Sequence, residues 1–439
     1  MSKTFRPWDV DQIWLLPPSV QDLVPAGHVA HFVRDTVRDG LDLSRIMDAY
    51  EEERGYPPYH PGMMVALLLY AYSQGVYSSR RIARACEERL DFAAVTGLQR
   101  PDFRTISDFR KRHLGALGGL FQQVLKLCRA AGLVKLGHVA LDGTKIKASA
   151  SKHKAMSYGR MVKAEPALTA EVDRWLKEAV QADQVEDRAH GAERRGDETP
   201  EWVANKQRRL EKIRAAKAAL EAEARAPTAA KAHDKNQPNG NRAARPPHEP
   251  RPPDKAQRNF TDPESRIMKT NDGFIQGYNA QAAVDAEAQV IVAQDLSNAA
   301  TDQAQLAPMV GAIRSNLGHN PDELSADAGY CSEANLRTLG RRRIRAYIAT
   351  GRQRHGTPAA VAQRTPKRGS IVARMATKLK RAGHRSRYRL RKQVVEPVFG
   401  QIKQARGFRQ FLLRGLDNVK AEWALLCTVH NLLKLAATT

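Results

Sequence analysis

The sequence predicts an α/β protein in which a mixed sheet is covered by helices, preceded by an all-helical N-terminal domain and interrupted by a partly helical, partly disordered insertion. Three observations predict it. Short apolar runs ending in a carboxylate occur at His138–Asp142 and Leu324–Asp327, with two β-favouring runs, Phe274–Asp285 and Gln289–Asp295, between them. Residues 1–132 carry apolar side chains at helical spacing throughout. Residues 151–258 lose both patterns and become first charged and helix-favouring, then rich in Pro, Ala, Asn and Arg. The domains expected are therefore 1–132, a sheet domain built from 133–150 and 259–439, and the insertion 151–258.

At 439 residues the chain can bury a substantial core. Its net charge of +24 and isoelectric point near 10.1 call for a polyanionic partner. Nucleic acid is favoured over a membrane surface, because basic residues recur along the whole chain and no basic amphipathic terminus stands out. A structural nucleic-acid binder would share this charge, so charge alone does not make an enzyme. The four cysteines, Cys86, Cys128, Cys331 and Cys427, are far apart and lack CxxC spacing, which excludes a zinc-ribbon pattern and gives no disulfide framework. The N-terminus has no apolar signal region, and the longest apolar run, Met63–Tyr72, is too short to span a bilayer, so a cytoplasmic protein is expected.

Taking the elements in order, a Pro- and Trp-rich opening leads to expected helices at His28–Val37, Leu43–Glu53, Gly62–Gln74 and Ser79–Val95, with breaks at Gly55–Pro58 and Gly97–Pro101. Thr105 and Asp108 have capping-box spacing, which predicts one helix from there through Phe109, Leu114, Leu117, Phe121, Val124 and Leu127. The helices flanking the Gly97–Pro101 break could form a helix-turn-helix presenting Arg104, Arg110, Lys111 and Arg112 to DNA; the alternative is a solvated basic face on a small helical bundle. His28 and His31 lack further nearby ligands and read as ordinary helix residues rather than a metal pair.

The first strand, Val139–Leu141 between Gly137 and Gly143, brings Asp142 to a strand end, either as a turn-forming Asp-Gly or as a metal ligand on rigid backbone. After it, Glu165–Ala224 suggests a helical hairpin or a short coiled-coil-like arm and Ala226–Arg258 a disordered or extended linker, by default solvated and alternatively a basic tether on DNA. The sheet resumes with the hairpin Phe274–Asp295, then a helix at Asp302–Ile313, a strand at Glu323–Asp327, a helix at Ser332–Leu339 and a strand at Ile344–Ala349. Asp327 again ends an apolar run and is followed by small residues. No Asp or Glu occurs from Ala334 to Val395, so Glu396 stands alone in a basic stretch and is not explained by surface composition. Three carboxylates of this kind could hold two Mg²⁺ ions for phosphodiester displacement.

Asp142-Gly-Thr-Lys145, Gly277–Asp285, Ala326–Tyr330 and Val395–Lys403, with the N-terminal segments His60–Met63 and Ser107–His113, resemble bacterial insertion-sequence transposases of the DDE class. The resemblance spans nearly the whole chain outside the insertion. It implies a ribonuclease-H-like catalytic domain, a helical N-terminal DNA-binding domain, and Asp142, Asp327 and Glu396 as the catalytic, metal-binding triad for Mg²⁺, with Mn²⁺ as a substitute. Relatives often carry a Tyr seven and an Arg four residues before the glutamate and a Lys seven after it. Lys403 fits the last position; Arg389 and Lys392 occupy the others, with Tyr388 and Arg391 one residue earlier. Pro397, directly after the glutamate, is expected to kink that helix or to start a new one. DNA contacts are thus expected from Tyr388, Arg391, Lys392 and Lys403, besides Arg110, Lys111 and Arg112. The implied activity is binding of the element's terminal inverted repeats, cleavage there, and joining of the 3′-hydroxyl ends to target DNA, with a homodimer assembled on DNA in the bacterial nucleoid and no membrane partner. A purely hydrolytic ribonuclease-H-like nuclease and a catalytically silent DNA-binding remnant are the alternatives.

Overall fold

The computed structural model describes residues 19–50, 57–190, 201–225, 251–270, 273–351 and 367–438. The Pro- and Trp-rich opening, the first half of the Gly55–Pro58 break, residues 226–250 of the expected linker and residues 352–366 of the basic stretch before Glu396 lie outside the described residues.

Among the described residues seven α-helices precede the sheet: α1 (Val29–Asp35), α2 (Ser44–Met47), α3 (Pro61–Ser73), α4 (Ser79–Glu88), α5 (Leu90–Thr96), α6 (Phe103–Arg112) and α7 (Leu114–Ala130). Their centre is α3, apolar all round and therefore buried. Pro61 opens α3, and His60 Nδ1 caps it by accepting the Gly62 N–H at 3.1 Å. Expected helices are shortened or split. Of Leu43–Glu53 only the single turn α2 is helical among the described residues, and Ser79–Val95 breaks at the extended Arg89.

The expected capping box is not formed. Asp102 caps α6 instead, its Oδ1 accepting the Arg104 N–H at 2.7 Å, and Thr105 already lies within the helix. That helix also stops at Arg112, so α6 and α7 are two helices rather than one. Across the Gly97–Pro101 break α6 packs chiefly on α4, the first half of the expected Ser79–Val95 helix. His28 caps α1 through its Nδ1, and His31 hydrogen-bonds the Gln21 side chain and the Val24 carbonyl.

The main sheet has β1 (His138–Lys147) near its middle. The insertion then leaves through β2 (Ala155–Ser157) into the hairpin of α8 (Tyr158–His190) and α9 (Glu201–Arg225), and returns through β3 (Gln257–Asn259), which pairs antiparallel with β2. The helical arm is thus present with a small core of its own around Met161, Ile213 and Leu220, and the end of the linker expected to be disordered or extended, Gln257 and Arg258, is extended in β3. The sheet continues with β4 (Arg266–Thr270), which sequence periodicity did not single out, β5 (Gly273–Asp285), β6 (Ile291–Ser297), β7 (Glu323–Ala326) and β8 (Arg345–Ile348).

β5 runs antiparallel to β1 and carries both β4 and β6 on its far edge, while β7 and β8 add on the other side of β1, each parallel to its neighbour. Helices α10 (Leu306–Leu317), α11 (Glu333–Arg341), α12 (Ile371–Lys380), α13 (Ala382–Gly400) and α14 (Leu416–Ala436) complete the chain. Pro397 does not end α13, which runs through it to Gly400 before a wider turn at Gln401–Ala405.

One hydrophobic core joins the helical block to the sheet. Helix α14 is the bridge: it packs on α7 and α3 on one side and on β6 on the other. Asn431 fixes its register, with Oδ1 accepting the Ile291 N–H and Nδ2 donating to the Ile291 carbonyl, both at 2.8 Å. The buried indole of Trp423 donates to the Gln281 carbonyl at 3.1 Å. Cys86, Cys128 and Cys427 are buried and Cys331 half-buried, all as free thiols.

Candidate active site

Strand pairing brings the first two sequence-picked carboxylates together. β1 and β7 are parallel neighbours with Leu141 opposite Ala326, so the next residues, Asp142 and Asp327, emerge side by side. Asp142 is not at a strand end, however. β1 continues for five more residues because Asp142–Lys147 finds partners on β5, where Ala282–Gly277 face it. Each aspartate is steadied by a nearby backbone donor: Asp142 Oδ1 accepts the Gly143 N–H and Asp327 Oδ1 the Gly329 N–H, both at 2.9 Å.

Burial pushes the Asp142 carboxyl up to about 7; Asp327 and Asp302 add to the rise, and Arg391 and the Gly143 N–H oppose it. Asp327 is also raised, first by burial and then by Asp302, against Arg391, the Gly329 N–H and Lys145. Two adjacent carboxyls that both resist ionisation because they are buried mark a candidate functional site.

The charge present is Arg391. Its Nη1 pairs with Asp142 Oδ2, and its Nη2 lies 3.8 Å from Glu396 Oε1. Arg391, expected to meet DNA, is therefore turned inward. It belongs to the stripe Tyr388, Arg391, Val395, Val398 and Ile402, which α13 and the following turn press against the sheet. Arg389 and Lys392, one residue off that stripe, are exposed, as is Glu396, whose side chain is 53% accessible. Tyr388 is half-buried on the same face as Arg391, and burial raises its phenol above the ordinary range. Lys403 Nζ donates to Thr144 Oγ1 at 3.0 Å, docking the end of this helical segment onto β1 just past Asp142.

Arg110 does not fit the expected DNA face either. It is buried, its Nη1 donating to the Tyr77 carbonyl at 3.0 Å and to Tyr72 Oη at 3.2 Å, and its Nη2 to Ser79 Oγ at 3.3 Å. Ile106, Phe109 and Arg110 form the inward stripe of α6, continued by the buried His113 just after it, which the chain's positive charge had masked. Arg104, Lys111 and Arg112 remain exposed.

Comparison with protein families now bears on this geometry. Residues 18–112 match a family model described as a transposase domain, and residues 245–432 match one described as a transposase DDE domain, together well over half of the chain. The chain belongs with the DDE-class insertion-sequence transposases. Searches of curated proteins and of solved structures returned no match. For a DDE transposase the sheet is the expected ribonuclease-H-like one: β6, β5 and β1 antiparallel in that order, then β7 and β8 parallel to β1. The family implies DNA as substrate. No helix among the described residues is long and apolar enough to cross a membrane.

The donor set of this transposase suits a hard divalent cation, since all its carboxylates offer oxygen, the donor such ions take. Among the described residues no three or more His, Cys, Asp or Glu side chains are gathered at the spacing of a finished coordination shell. Arg391 holds the place between Asp142 and Glu396 instead.

Sequence reasoning missed Asp302, Asn279, Gln281 and Tyr330. Asp302 Oδ1 accepts from Asn279 Nδ2 at 2.6 Å and from Gln281 Nε2 at 2.8 Å, and Gln281 Oε1 in turn accepts from the buried Tyr330 hydroxyl. Asn279 and Gln281 alternate along β5 and Tyr330 follows the Asp327 motif, so their type and spacing were visible; Asp302, at a helix start, gave no signal of its own.

Proposed function

We propose that this transposase binds the terminal inverted repeats of its insertion element, cleaves phosphodiester bonds at their ends and joins the freed 3′-hydroxyls to target DNA. In the first step a water oxygen attacks the phosphorus at the element end, and the bond to the 3′-oxygen breaks. In the second, that 3′-hydroxyl oxygen attacks a target phosphorus and displaces a target 3′-oxygen. Asp142, Asp327 and Glu396 would hold divalent cations, Mg²⁺ or in its place Mn²⁺. Bound there, such ions supply charge neutralisation at the phosphate and ease deprotonation of the attacking hydroxyl.

The chain's own residues do the rest. Asp142 and Asp327 set the site on two paired strands, where neither can drift without breaking the sheet. Arg391 neutralises Asp142 until a cation is loaded. Lys403, Tyr388 and the exposed basic residues described within Arg341–Lys392, Lys392 among them, would neutralise phosphates, and Lys111 and Arg112 offer exposed positive charge on the helical domain. Residues 1–132 serve as the DNA-binding domain, 133–150 with 259–439 as the catalytic domain, and 151–258 as an insertion between them. Two copies act together on DNA in the bacterial cytoplasm, because two element ends must be held at once.

The observation that carries this reading is the pair of raised aspartates side by side on parallel strands, in a chain that matches the transposase DDE domain. Its test is incubation of the purified protein with element-end DNA, a supercoiled target and Mg²⁺, for wild type and Glu396→Gln. Mg²⁺-dependent end cleavage with joined products, lost in the variant, is the expected result. Cleavage without joining would leave a hydrolytic nuclease, and binding without cleavage in either protein a silent DNA binder.

A further inference from the structure

Asp142 and Asp327 are followed by a glycine at one and at two residues, and the structure gives both glycines the same reason. A Cβ at Gly143 would lie 2.7 Å from Asp302 Oδ1, 3.0 Å from Asn279 Oδ1, and against Gln281 Nε2. A Cβ at Gly329 would lie 3.0 Å from Asp327 Oδ1 and 3.3 Å from Asp302 Oδ2. The space that a methyl would fill at each place is therefore bounded by the carboxylate of Asp302. Its two oxygens differ. Oδ1 takes both amide donors, from Asn279 and Gln281, while Oδ2 borders the space shared with Asp327.

We propose that Asp302 is a fourth carboxylate of the active site, a positioning residue whose Oδ1 is clamped by Asn279 and Gln281 so that Oδ2 faces the cation space of Asp142 and Asp327. This rests on the reading of Asp142 and Asp327 as cation ligands.

The geometry favours this over a purely architectural carboxylate. Both amide donors fall on Oδ1, which leaves Oδ2 turned to the space beside Asp327, and the clamp is deep. Gln281 is fully buried, its side-chain oxygen takes the Tyr330 hydroxyl, and its carbonyl takes the Trp423 indole. A residue held at both side-chain polar atoms and at its backbone carbonyl orients its partner closely, which is how groups behind metal ligands act; their loss typically lowers metal affinity 10–100-fold.

The test is direct Mn²⁺ binding to the full-length protein without DNA, read from the electron paramagnetic resonance of free Mn²⁺, for wild type, Asp302→Asn, Asn279→Ala and Asp142→Asn. Near-ultraviolet circular dichroism and thermal melting in chelator identify the folded variants. The expected result is a loss of affinity of about 10–100-fold in Asp302→Asn and a smaller loss in Asn279→Ala, which keeps the charge but loosens the clamp. Wild-type affinity in folded Asp302→Asn, with binding lost in Asp142→Asn, would overturn the role of Asp302 and leave the site's reading standing. Wild-type affinity in all the variants would overturn both. Should Asp302→Asn not fold, Asn279→Ala decides, and unchanged Mn²⁺ affinity there refutes the clamp.

Discussion

Arg391→Gln separates the electrostatics of this site from its packing. The substitution removes the one guanidinium paired with Asp142 and leaves a polar side chain of similar reach. Arg391 and Asp142 have side chains only 10% and 17% exposed, so little solvent screening weakens their pair. Because the Asp142 carboxyl sits at about 7 even with the guanidinium present, the ion pair is formed only above that pH. An unfolded aspartate titrates near 3.9. The folded group holds its proton more tightly, so its contribution is fully present at low pH and is lost as pH rises through about 7.

Without Arg391 the folded value moves higher still, and each further unit costs about 1.4 kcal/mol once pH exceeds both values. Taking the loss of one partner of a buried pair as about 3 kcal/mol, the variant should be destabilised by roughly 3 kcal/mol at pH 9 and by less than about 1 kcal/mol at pH 5.5, where Asp142 is protonated in both proteins. Urea unfolding in chelator, followed by tryptophan fluorescence at both pH values, measures this. A destabilisation equal at the two, or larger at pH 5.5, would refute the argument that Arg391 acts as the counter-ion of Asp142.

Four further outcomes follow from the same structure. Gly143→Ala forces a methyl against the clamped Gln281 and Asp302, and should cost about 2 kcal/mol of stability by overpacking and depress strand cleavage, checked by urea unfolding and an end-nicking assay. Glu422 is buried beneath the 412–413 loop, where it accepts the Leu412 and Leu413 N–H groups, and burial raises its carboxyl to about 7. Its contribution is lost as pH rises from about 4.5 through 7, so wild-type stability should fall there by up to about 3 kcal/mol, and Glu422→Gln should flatten that slope in a pH series of melts. Lys111→Glu with Arg112→Glu should weaken end-DNA binding and reduce the slope of log affinity against log salt by about 2, whereas an unchanged slope in fluorescence anisotropy would remove this face from the interface. Asp142→Asn should abolish cleavage while sparing end binding; cleavage at the wild-type rate would take Asp142 out of the mechanism.

The sequence by itself determined the type and order of most of the longer elements, though not all their bounds and not β4, because burial on one face of a strand or helix leaves a period in the local sequence. The hairpin at residues 273–297, the strand ending beside Asp327 and the helical arm of the insertion were legible for that reason. Asp142 and Asp327 stood out because each ends an apolar run, and Glu396 because the residues around it carry no other acid. Local period could not say where a polar residue on a buried stripe points. Arg110 and Arg391 counted as surface charge until helix packing turned both inward, the first onto the Tyr77 carbonyl and the second onto Asp142. Nor could the sequence pair residues that only strand order makes neighbours. Asp302 meets Gly143 and Gly329 because β5 lies against one edge of β1 and β7 against the other, and that order is set by which faces bury together. Tertiary structure thus decided the contents of the site, since the electrostatics of a carboxylate depend on its neighbours in space, whereas its place in the chain records only its neighbours along the backbone.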